Sequence, residues 1–409
     1  MNRSFRSIWN EALGAWVAAS EACTARGKKS SGITLGAALL ATAAFGSASS
    51  AWAANECGVV VSGGTVTCQG DGTPVGDANP NTTGIAYGTD NIKVIVDGTA
   101  APFTIAPVST LATANGVLSR GSGSGNQQIE VNGPVTINVT TPPGNTGAGA
   151  AWAVLANTLG GTGNASIVIN GAQITSSGEF AGGIATSVLG NGNATSVLNS
   201  GSISTTGQQG SAVGLFAETF GIGTATATVN GGSISTGTGT SNGSHAAYAL
   251  ARGNGDAVAT MTGGAATTQA LNNSVVVAQT LGSGDAYATI SGGTATTNGA
   301  ASTVIAVGSG SGDAIASQTG GAVIANGSGG VGLAALAEGT GAATASMTGG
   351  SIVTQGSNGH GIWAIVLNPA STAAATATMD AAASTITTTG ATGSGIYACL
   401  LYTSPSPRD

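Results

Sequence analysis

The sequence has few of the residues from which a large core or a charged surface is built. Charged residues make up 6% of the 409-residue chain and aromatic residues 4%, whereas charged residues alone make up roughly 25% of typical globular domains. These shortages argue against an ordinary globular enzyme. A hydrophobic fraction of 41% also argues against disorder, which needs low hydrophobicity and high net charge. Small residues, with Val, Ile and Thr at intervals, favour stacked strands around a narrow interior.

Basic residues become scarcer still once the N-terminus is set aside. Residues 1–53 hold five of the nine basic and two of the sixteen acidic residues, which leaves four basic residues, fourteen acidic ones and a formal net charge of −10. Nucleic-acid binders carry basic patches that neutralise phosphates. The balance therefore argues against nucleic acid, and against an anionic membrane surface, as a partner.

The N-terminus has the succession of an export signal. A basic stretch over Arg26–Lys29 precedes an apolar run over residues 33–45, and the small residues of Ala51–Ala53 follow. This order predicts cleavage between Ala53 and Ala54. The apolar run has 13 residues, too few for a bilayer, which needs about 20. No later stretch is long and apolar enough, so the mature chain is predicted to have no membrane span.

A second pattern lies upstream of that signal. It consists of Met1-Asn2, Ile8-Trp9-Asn10, Leu13-Gly14-Ala15-Trp16-Val17, Ser20-Glu21 and Gly27-Lys28-Lys29-Ser30. In unbroken register over about thirty residues, these resemble the extended signal-peptide region of type V secreted proteins, which are autotransporters and two-partner exoproteins. The resemblance implies a Gram-negative host, secretion through the periplasm to the cell surface or outer membrane, and an outer-membrane translocator barrel as partner.

Beyond the signal, a glycine turn recurs at a nearly constant interval. The intervals are 31, 32, 29, 28 and 29 residues. In the unit 224–255, an alternating run meets the turn Asn230–Gly232, a short strand Ser233–Thr236 follows, and a polar loop leads to an apolar strand Ala246–Ala251. Three short strands per unit predict an all-β, right-handed parallel β-helix with coils of about 29–32 residues. The recurring turn glycines are Gly201, Gly232, Gly264, Gly293, Gly321 and Gly350.

Equivalent positions of the third strand predict two side-chain columns. Alternate residues of a strand share a face, so we expect an inward stack with small residues beside it. The inward stack is Ile184, Leu215, Ala247, Val276, Val304 and Leu333. The neighbouring column is Thr186, Ala217, Ala249, Ala278, Ala306 and Ala335.

Four segments are predicted: a removed signal (1–53), an N-terminal cap with irregular first coils (54–124), the β-helix repeat (125–398) and a tail unlike the repeat (399–409). The cap opening, with Cys57, Cys68, Asn79-Pro80-Asn81 and Gly84-Ile85-x-Tyr87, resembles many autotransporter passengers. In an oxidising periplasm the cysteine spacing predicts a disulfide, worth roughly 3 kcal/mol. We expect the chain to be truncated before a translocator barrel.

Candidate chemistry is sparse. We expect His245 and His360 to be solvated turn residues, and the sequence predicts no catalytic residue and no cofactor. Asp256, Asp285 and Asp313 each follow a Gly-x-Gly turn, and stacked coils would bring them about 5 Å apart. They are weak candidates for Ca²⁺, which prefers oxygen ligands. The alternative is that they are turn residues, like Asn164 and Asn193 at the same point.

The expected function is that of a surface passenger, an adhesin or a display stalk, which is not an enzyme and binds a host or neighbouring-cell ligand of unknown identity. Three alternatives remain open. The chain could be a two-partner exoprotein, or the scaffold of an enzyme passenger whose catalytic part lies elsewhere. It could also be a trimeric autotransporter head, although its units do not divide into two similar halves.

Overall fold

The computed structural model describes residues 5–10, 15–20, 57–69, 83–107, 114–141, 150–207, 212–237, 243–269 and 271–400. Strands Phe5–Asn10 and Ala15–Ser20 form an antiparallel pair in a compact unit of their own. All other strands belong to the second unit, and no helix occurs in any of the described ranges. Accordingly, these ranges hold no helix with the length and apolarity to cross a membrane.

The second unit is a parallel β-solenoid with three strand faces per coil. Its first face consists of Thr65–Gln69, Ile92–Asp97, Gln127–Asn132, Ala225–Val229, Ala257–Met261, Ala286–Ile290, Ala314–Gln318, Ala343–Met347 and Ala375–Met379. The second face consists of Phe103–Ile105, Val135–Thr140, Ser233–Thr236, Ala265–Thr268, Thr294–Thr297, Ala322–Ala325, Gly350–Thr354 and Ser384–Thr388. Two longer strands, Ala165–Gly178 and Ala194–Gly207, run through both of these faces.

The third face is one sheet of eleven strands. These are Thr83–Tyr87, Ala114–Gly121, Ala150–Thr158, Phe180–Val188, Ala212–Thr219, His245–Ala251, Val276–Thr280, Ser302–Gly308, Val331–Ala337, His360–Val366 and Ser394–Leu400. From Ile85 to Ile396 one column of this sheet advances 311 residues in ten steps, about 31 residues per coil. Nine of the eleven strands begin within the predicted repeat, residues 125–398, and the predicted β-helix and its coil length are confirmed.

The interior is formed by every second side chain of the strands, because successive side chains point to opposite faces. On the first face, strands such as Ala257–Met261 alternate fully buried Ala and Met side chains with partly exposed ones. Both predicted columns of the third face are confirmed. Ile184 pairs with Leu215, Leu215 with Ala247, and so on to Leu333, and each of these side chains is buried. The interior is narrow because most of its side chains are Ala, Val or Ile.

The recurring turn glycines stack on one another at one corner of the solenoid. Gly232, Gly264 and Gly293 each have a φ of +77°, in the left-handed region that side chains other than glycine rarely adopt. A methyl group at Gly264 would also press on the backbone carbonyl of Gly232 in the preceding coil. Glycine is required here both by the backbone conformation and by the close approach of successive coils.

The structure describes the start of the predicted tail and part of the predicted cap. The last third-face strand, Ser394–Leu400, runs into the tail, and its Cys399 and Leu400 are in register with Ile365 and Val366. The reason is that strand pairing needs backbone amides in register and not a repeat-like side chain. In the predicted cap, Thr65–Gln69 and Ile92–Asp97 already pair in parallel on the first face. Its irregularity lies in the connections, since Lys93 pairs with Thr65 over 28 positions and with Gln128 over 35.

Candidate functional site

The three aspartates considered for calcium form a ladder along one corner. The Oδ1 atom of Asp256 accepts the backbone N–H of Asp285 at 2.9 Å, and Oδ1 of Asp285 accepts that of Asp313 at 2.8 Å. Asp313 accepts the N–H of Ala342 in the same way. Each carboxylate therefore already has a donor from the next coil, which disperses part of its charge.

Earlier coils carry asparagine at the same corner. The N–H of Asn193 is donated to Oδ1 of Asn164 at 2.7 Å, and the N–H of Thr224 to Oδ1 of Asn193 at 2.8 Å. Asn and Asp thus perform the same structural task, as the turn interpretation of the aspartates expects. Within the described ranges no group of three or more His, Cys, Asp or Glu residues is placed to hold a metal ion.

One aspartate has an additional partner. The hydroxyl of Tyr287 donates to Oδ2 of Asp285 at 2.9 Å. This hydrogen bond, with smaller contributions from burial and from the charges of the three aspartates, raises the pKa of Tyr287 to about 12. Both oxygens of Asp285 are consequently engaged by donors of the chain itself.

A second ladder stabilises the corner between the first and second faces. Side-chain amides of Asn170, Asn199 and Asn230 each donate to the preceding coil at 2.8 Å. Thr262 continues the ladder by donating its hydroxyl to Asn230. These polar columns join successive coils through hydrogen bonds between their own side chains and backbone amides.

The two histidines are not the solvated turn residues that the sequence predicts. His245 begins a third-face strand and is fully buried, and its ring lies 5.0 Å from that of Tyr248. Its Nδ1 lies 3.3 Å from the backbone nitrogen and 3.4 Å from the carbonyl oxygen of Ser274 in the next coil, so it accepts the N–H in one tautomer and donates to the carbonyl in the other. Burial lowers the pKa of His245 to about 4, against a small opposite effect of the Ser274 backbone. The prediction failed because the strand that His245 begins, His245–Ala251, is buried on both of its faces.

His360 occupies the equivalent position two residues before the inward column. Its Nδ1 accepts the N–H of Ser394 at 3.3 Å, and its ring lies 5.9 Å from that of Trp363. His360 is only partly buried, and that burial lowers the pKa of its ring. The two histidines therefore share a structural role at the start of a third-face strand.

The outward side of the third face, here called the outer third face, differs from the other outward surfaces. Outward side chains of the first face are partly exposed, as in Ala257–Met261, whereas every residue of His245–Ala251 is buried. Phe216 and Tyr248 alternate with the interior residues Ala217 and Ala249, which places the two rings outward. Their outward direction combined with full burial distinguishes this surface from the remainder of the solenoid.

Three rings on the outer third face form an aromatic platform, defined as Trp152, Phe216 and Tyr248. The rings of Trp152 and Phe216 are stacked, with centroids 6.0 Å apart and planes 13° apart, and that of Tyr248 follows 5.3 Å from Phe216. Space for this stack comes from a small residue in the coil between. A methyl group at Gly182 would overlap the indole of Trp152.

An ion pair lies beside the platform. Nε of Arg252 donates to Oε1 of Glu218, and the guanidinium lies 5.3 Å from the ring centre of Phe220. Burial raises the pKa of Glu218 to about 7, although Arg252 and the Ser187 hydroxyl act in the opposite direction. Desolvation therefore outweighs the stabilisation of the carboxylate by its partner.

Other polar groups flank the platform. Tyr248 donates its hydroxyl to Oε1 of Gln279 at 2.6 Å, and Nε of Arg120 donates to Oδ1 of Asn157 at 3.3 Å. Asn157 is fully buried, yet its Nδ2 has no hydrogen-bond partner among the described residues, and neither has Nη2 of Arg252. Buried donors without a partner are uncommon, because each costs about 1–3 kcal/mol.

Sequence reasoning missed the outer third face, although a signal for it exists. The third strands are apolar at both alternating positions, as in Ala246–Ala251 and Val331–Ala337. Such continuous apolar runs indicate strands that are covered on both sides. The tryptophans give the same indication, because Trp152 and Trp363 are the only two of the five tryptophans that lie beyond residue 53.

The remaining predicted site residues lie at the N-terminal end of the solenoid. Cys57 and Cys68 are joined in a disulfide. The backbone N–H of Cys57 donates to the Tyr87 hydroxyl at 3.2 Å, and that hydroxyl donates to the carbonyl of Gly58. The predicted cleavage site, Ala53 and Ala54, lies outside the described residues.

A family comparison bears on export. Residues 1–50 match the model of the Extended Signal Peptide of Type V secretion system. Comparison with the curated proteins and with the solved structures found no match. The family match confirms the resemblance seen in the first thirty residues and extends it through the apolar run.

Signal and fold together define the class of protein. Type V secreted proteins pass through the periplasm of Gram-negative bacteria to the cell surface, and their route implies a translocator in the outer membrane. A parallel β-solenoid behind such a signal fits an autotransporter passenger, and more generally a passenger of the autotransporter or two-partner type. The chain therefore carries the signal of type V secretion on a β-helical passenger that is delivered to the cell surface.

Proposed function

We propose that the processed chain acts at the cell surface as an adhesin or as a display stalk, and that it is not an enzyme. The observation that carries the proposal is the uninterrupted third-face sheet. Its eleven strands, spaced about 4.8 Å apart, make a rod about 50 Å long. A rod of this kind projects a regular surface away from its attachment, which suits contact with a host or neighbouring cell.

The polar chemistry of the described residues supports a role in binding and not in catalysis. In both histidines Nδ1 lies 3.3 Å from a backbone nitrogen of the next coil. Nucleophilic catalysis needs a base within hydrogen-bond reach of the nucleophile and a third group that orients the base. The aspartates are engaged by backbone amides of the following coils. These groups therefore stabilise the stack.

Surface display tests the proposal. Cells that display the chain through an outer-membrane translocator should adhere to host cells or to one another more than cells that display the translocator alone. Protease treatment of intact cells should remove both the chain and the added adhesion. Equal adhesion of the two strains would contradict the adhesin role, and a chain that protease cannot reach would contradict both roles.

A further inference from the structure

A short segment at the N-terminal end of the solenoid, residues 57–64, is here called the N-terminal plug. A turn closes its tip, where the N–H of Gly64 donates to the carbonyl of Val61 at 2.9 Å. The turn reverses the chain, so that Cys57 at the start of the plug comes beside Cys68, to which it is joined by the disulfide. The plug is therefore tied at its first residue to a strand that follows it in sequence.

That strand belongs to the body of the solenoid. Cys68 is 2% exposed and lies in Thr65–Gln69, the first strand of the first face. On one side this strand pairs in parallel with Ile92–Asp97. The Cα atoms of Cys57 and Cys68 are 5.1 Å apart, which is the separation of neighbouring strands. The plug consequently lies along the other edge of Thr65–Gln69.

The plug has little packing of its own. Five of its eight residues are exposed, among them Val59 at 84% and Val61 at 72%. Val60 is its one buried residue and belongs to the interior cluster. The N–H of Gly63 donates to the carbonyl of Asn91, the residue before the second coil of the first face, at 2.7 Å. One buried side chain and a few hydrogen bonds are thus the contacts that accompany the disulfide.

We propose that the Cys57–Cys68 disulfide is a redox-operated lock on the N-terminal plug. Fixing a chain segment costs conformational entropy at every residue, and the contacts of the plug offset only part of that cost. The disulfide makes up the difference because it restricts the open state. Reduction releases the plug and uncovers the edge of Thr65–Gln69. An uncovered strand edge is a template for pairing with another strand, so the lock keeps this end of the solenoid closed.

Each change of state is a balanced two-electron step. In closing, the thiols of Cys57 and Cys68 lose two protons and two electrons to a disulfide-bearing oxidant, an S–S bond forms in the chain, and the oxidant becomes a dithiol. In opening, a dithiol reductant attacks one of the two sulfurs, passes through a mixed disulfide and leaves as a disulfide. The periplasm favours disulfides. Passage through it therefore closes the plug, and a reducing environment at the cell surface opens it.

Hydrogen exchange measured by mass spectrometry tests the lock. The processed chain carries Cys399→Ser, because Cys399 is a free cysteine that could form mixed disulfides. The hydrogen-bonded amides of Gly63 and Gly64 should exchange at least about tenfold faster after reduction with dithiothreitol, and reoxidation should restore the slow rate. Ala257–Met261, many coils away, should exchange equally in both states. Equal exchange of the plug in the two states, or a disulfide that dithiothreitol does not reduce in the folded chain, would overturn the proposal.

Two variants separate the disulfide from the other contacts of the plug. Cys57→Ser removes the half of the disulfide that lies in the plug and leaves Cys68 in place, so its plug should exchange like that of the reduced parent with or without dithiothreitol. Tyr87→Phe removes the hydroxyl that contacts Cys57 and Gly58 but retains the ring and the disulfide, so its oxidised plug should stay closed. Circular dichroism should show the same strand content in both variants. A closed plug in a folded Cys57→Ser variant, or a Tyr87→Phe plug as open as that of the reduced parent, would show that the disulfide is not the lock.

Discussion

Glu218 and His245 are predicted to make opposite contributions to stability as the pH changes. Both side chains are fully buried on the outer third face. Burial raises the pKa of Glu218 from 4.5 to about 7 and lowers that of His245 from 6.5 to about 4. Each pKa unit corresponds to about 1.4 kcal/mol, so each group contributes at most about 3 kcal/mol.

The signs of the two contributions differ. The folded chain favours protonated Glu218, so its contribution is complete below pH 4.5 and is lost as the pH rises to about 7. It also favours neutral His245, so that contribution is complete above pH 6.5 and is lost as the pH falls to about 4. Between pH 4.5 and 6.5 the two slopes cancel, and the parent chain should show a nearly constant local stability.

Single substitutions should reveal each slope. In Glu218→Gln, the free energy of opening should rise by up to about 3 kcal/mol from pH 4 to pH 6.5, because only His245 then titrates. In His245→Gln it should fall by up to about 3 kcal/mol from pH 4.5 to pH 7. Each substitution also lowers the baseline, since Arg252 or Ser274 loses a partner. The slope is therefore the quantity to compare.

Amide hydrogen exchange of the strand His245–Ala251 measures this local stability. Solenoids open locally, so one global unfolding energy would average the effect away. Exchange rates are corrected for the intrinsic rate at each pH, and the double variant Glu218→Gln, His245→Gln serves as the control with neither slope. If the Glu218→Gln variant keeps a constant opening energy across this range, then His245 is not held neutral by burial and the reasoning fails.

Three further predictions concern export, the glycine corner and the aspartate ladder. The exported protein should begin at Ala54, and a mature form that retains residues before it would contradict the signal assignment. Gly264→Ala should lower the melting temperature of the chain, because φ is +77° there and the methyl group meets Gly232; an unchanged melting temperature would contradict this account of the corner. Asp285→Ala should destabilise the chain by about 1 kcal/mol while Asp285→Asn does not, because Asn retains the acceptor for Asp313. Calcium should not raise the melting temperature of the parent, and a rise abolished by Asp285→Asn would instead establish a calcium site.

The period of the fold could be predicted from the sequence because it depends on residues with a unique backbone role. Gly201, Gly232 and Gly264 mark the corner that only glycine fits, and equal spacing between them returns the chain to the same corner. The inward column from Ile184 to Leu333 follows from that spacing and from strand alternation. Glycine spacing and strand alternation therefore suffice to predict the length of the coil and the inward column of its third strand.

The outer third face could not be predicted in the same way. Whether an outward side chain is covered depends on contacts between segments distant in sequence, and alternation alone carries no information about them. His245 stands after a polar loop and was expected in solvent, yet its ring packs against Tyr248. Likewise Glu218 and Arg252, 34 residues apart, meet only because successive coils stack. The sequence indicates this surface through the apolar character of both sides of the third strands and through Trp152 and Trp363.

The scarcity of charge follows from stacking itself. Any residue type that recurs at one coil position is brought within about 4.8 Å of its equivalents, and like charges that close repel by about 1 kcal/mol even in water. A column of free charges would therefore add this cost at every step. Asp256, Asp285 and Asp313 can occupy one column because each carboxylate accepts a backbone N–H from the next coil. Elsewhere, Asn170 and Asn199 achieve the same stacking with neutral amides that donate and accept along the column. Charge is thus retained where the fold supplies a backbone donor or a counter-charge, as Arg252 does for Glu218.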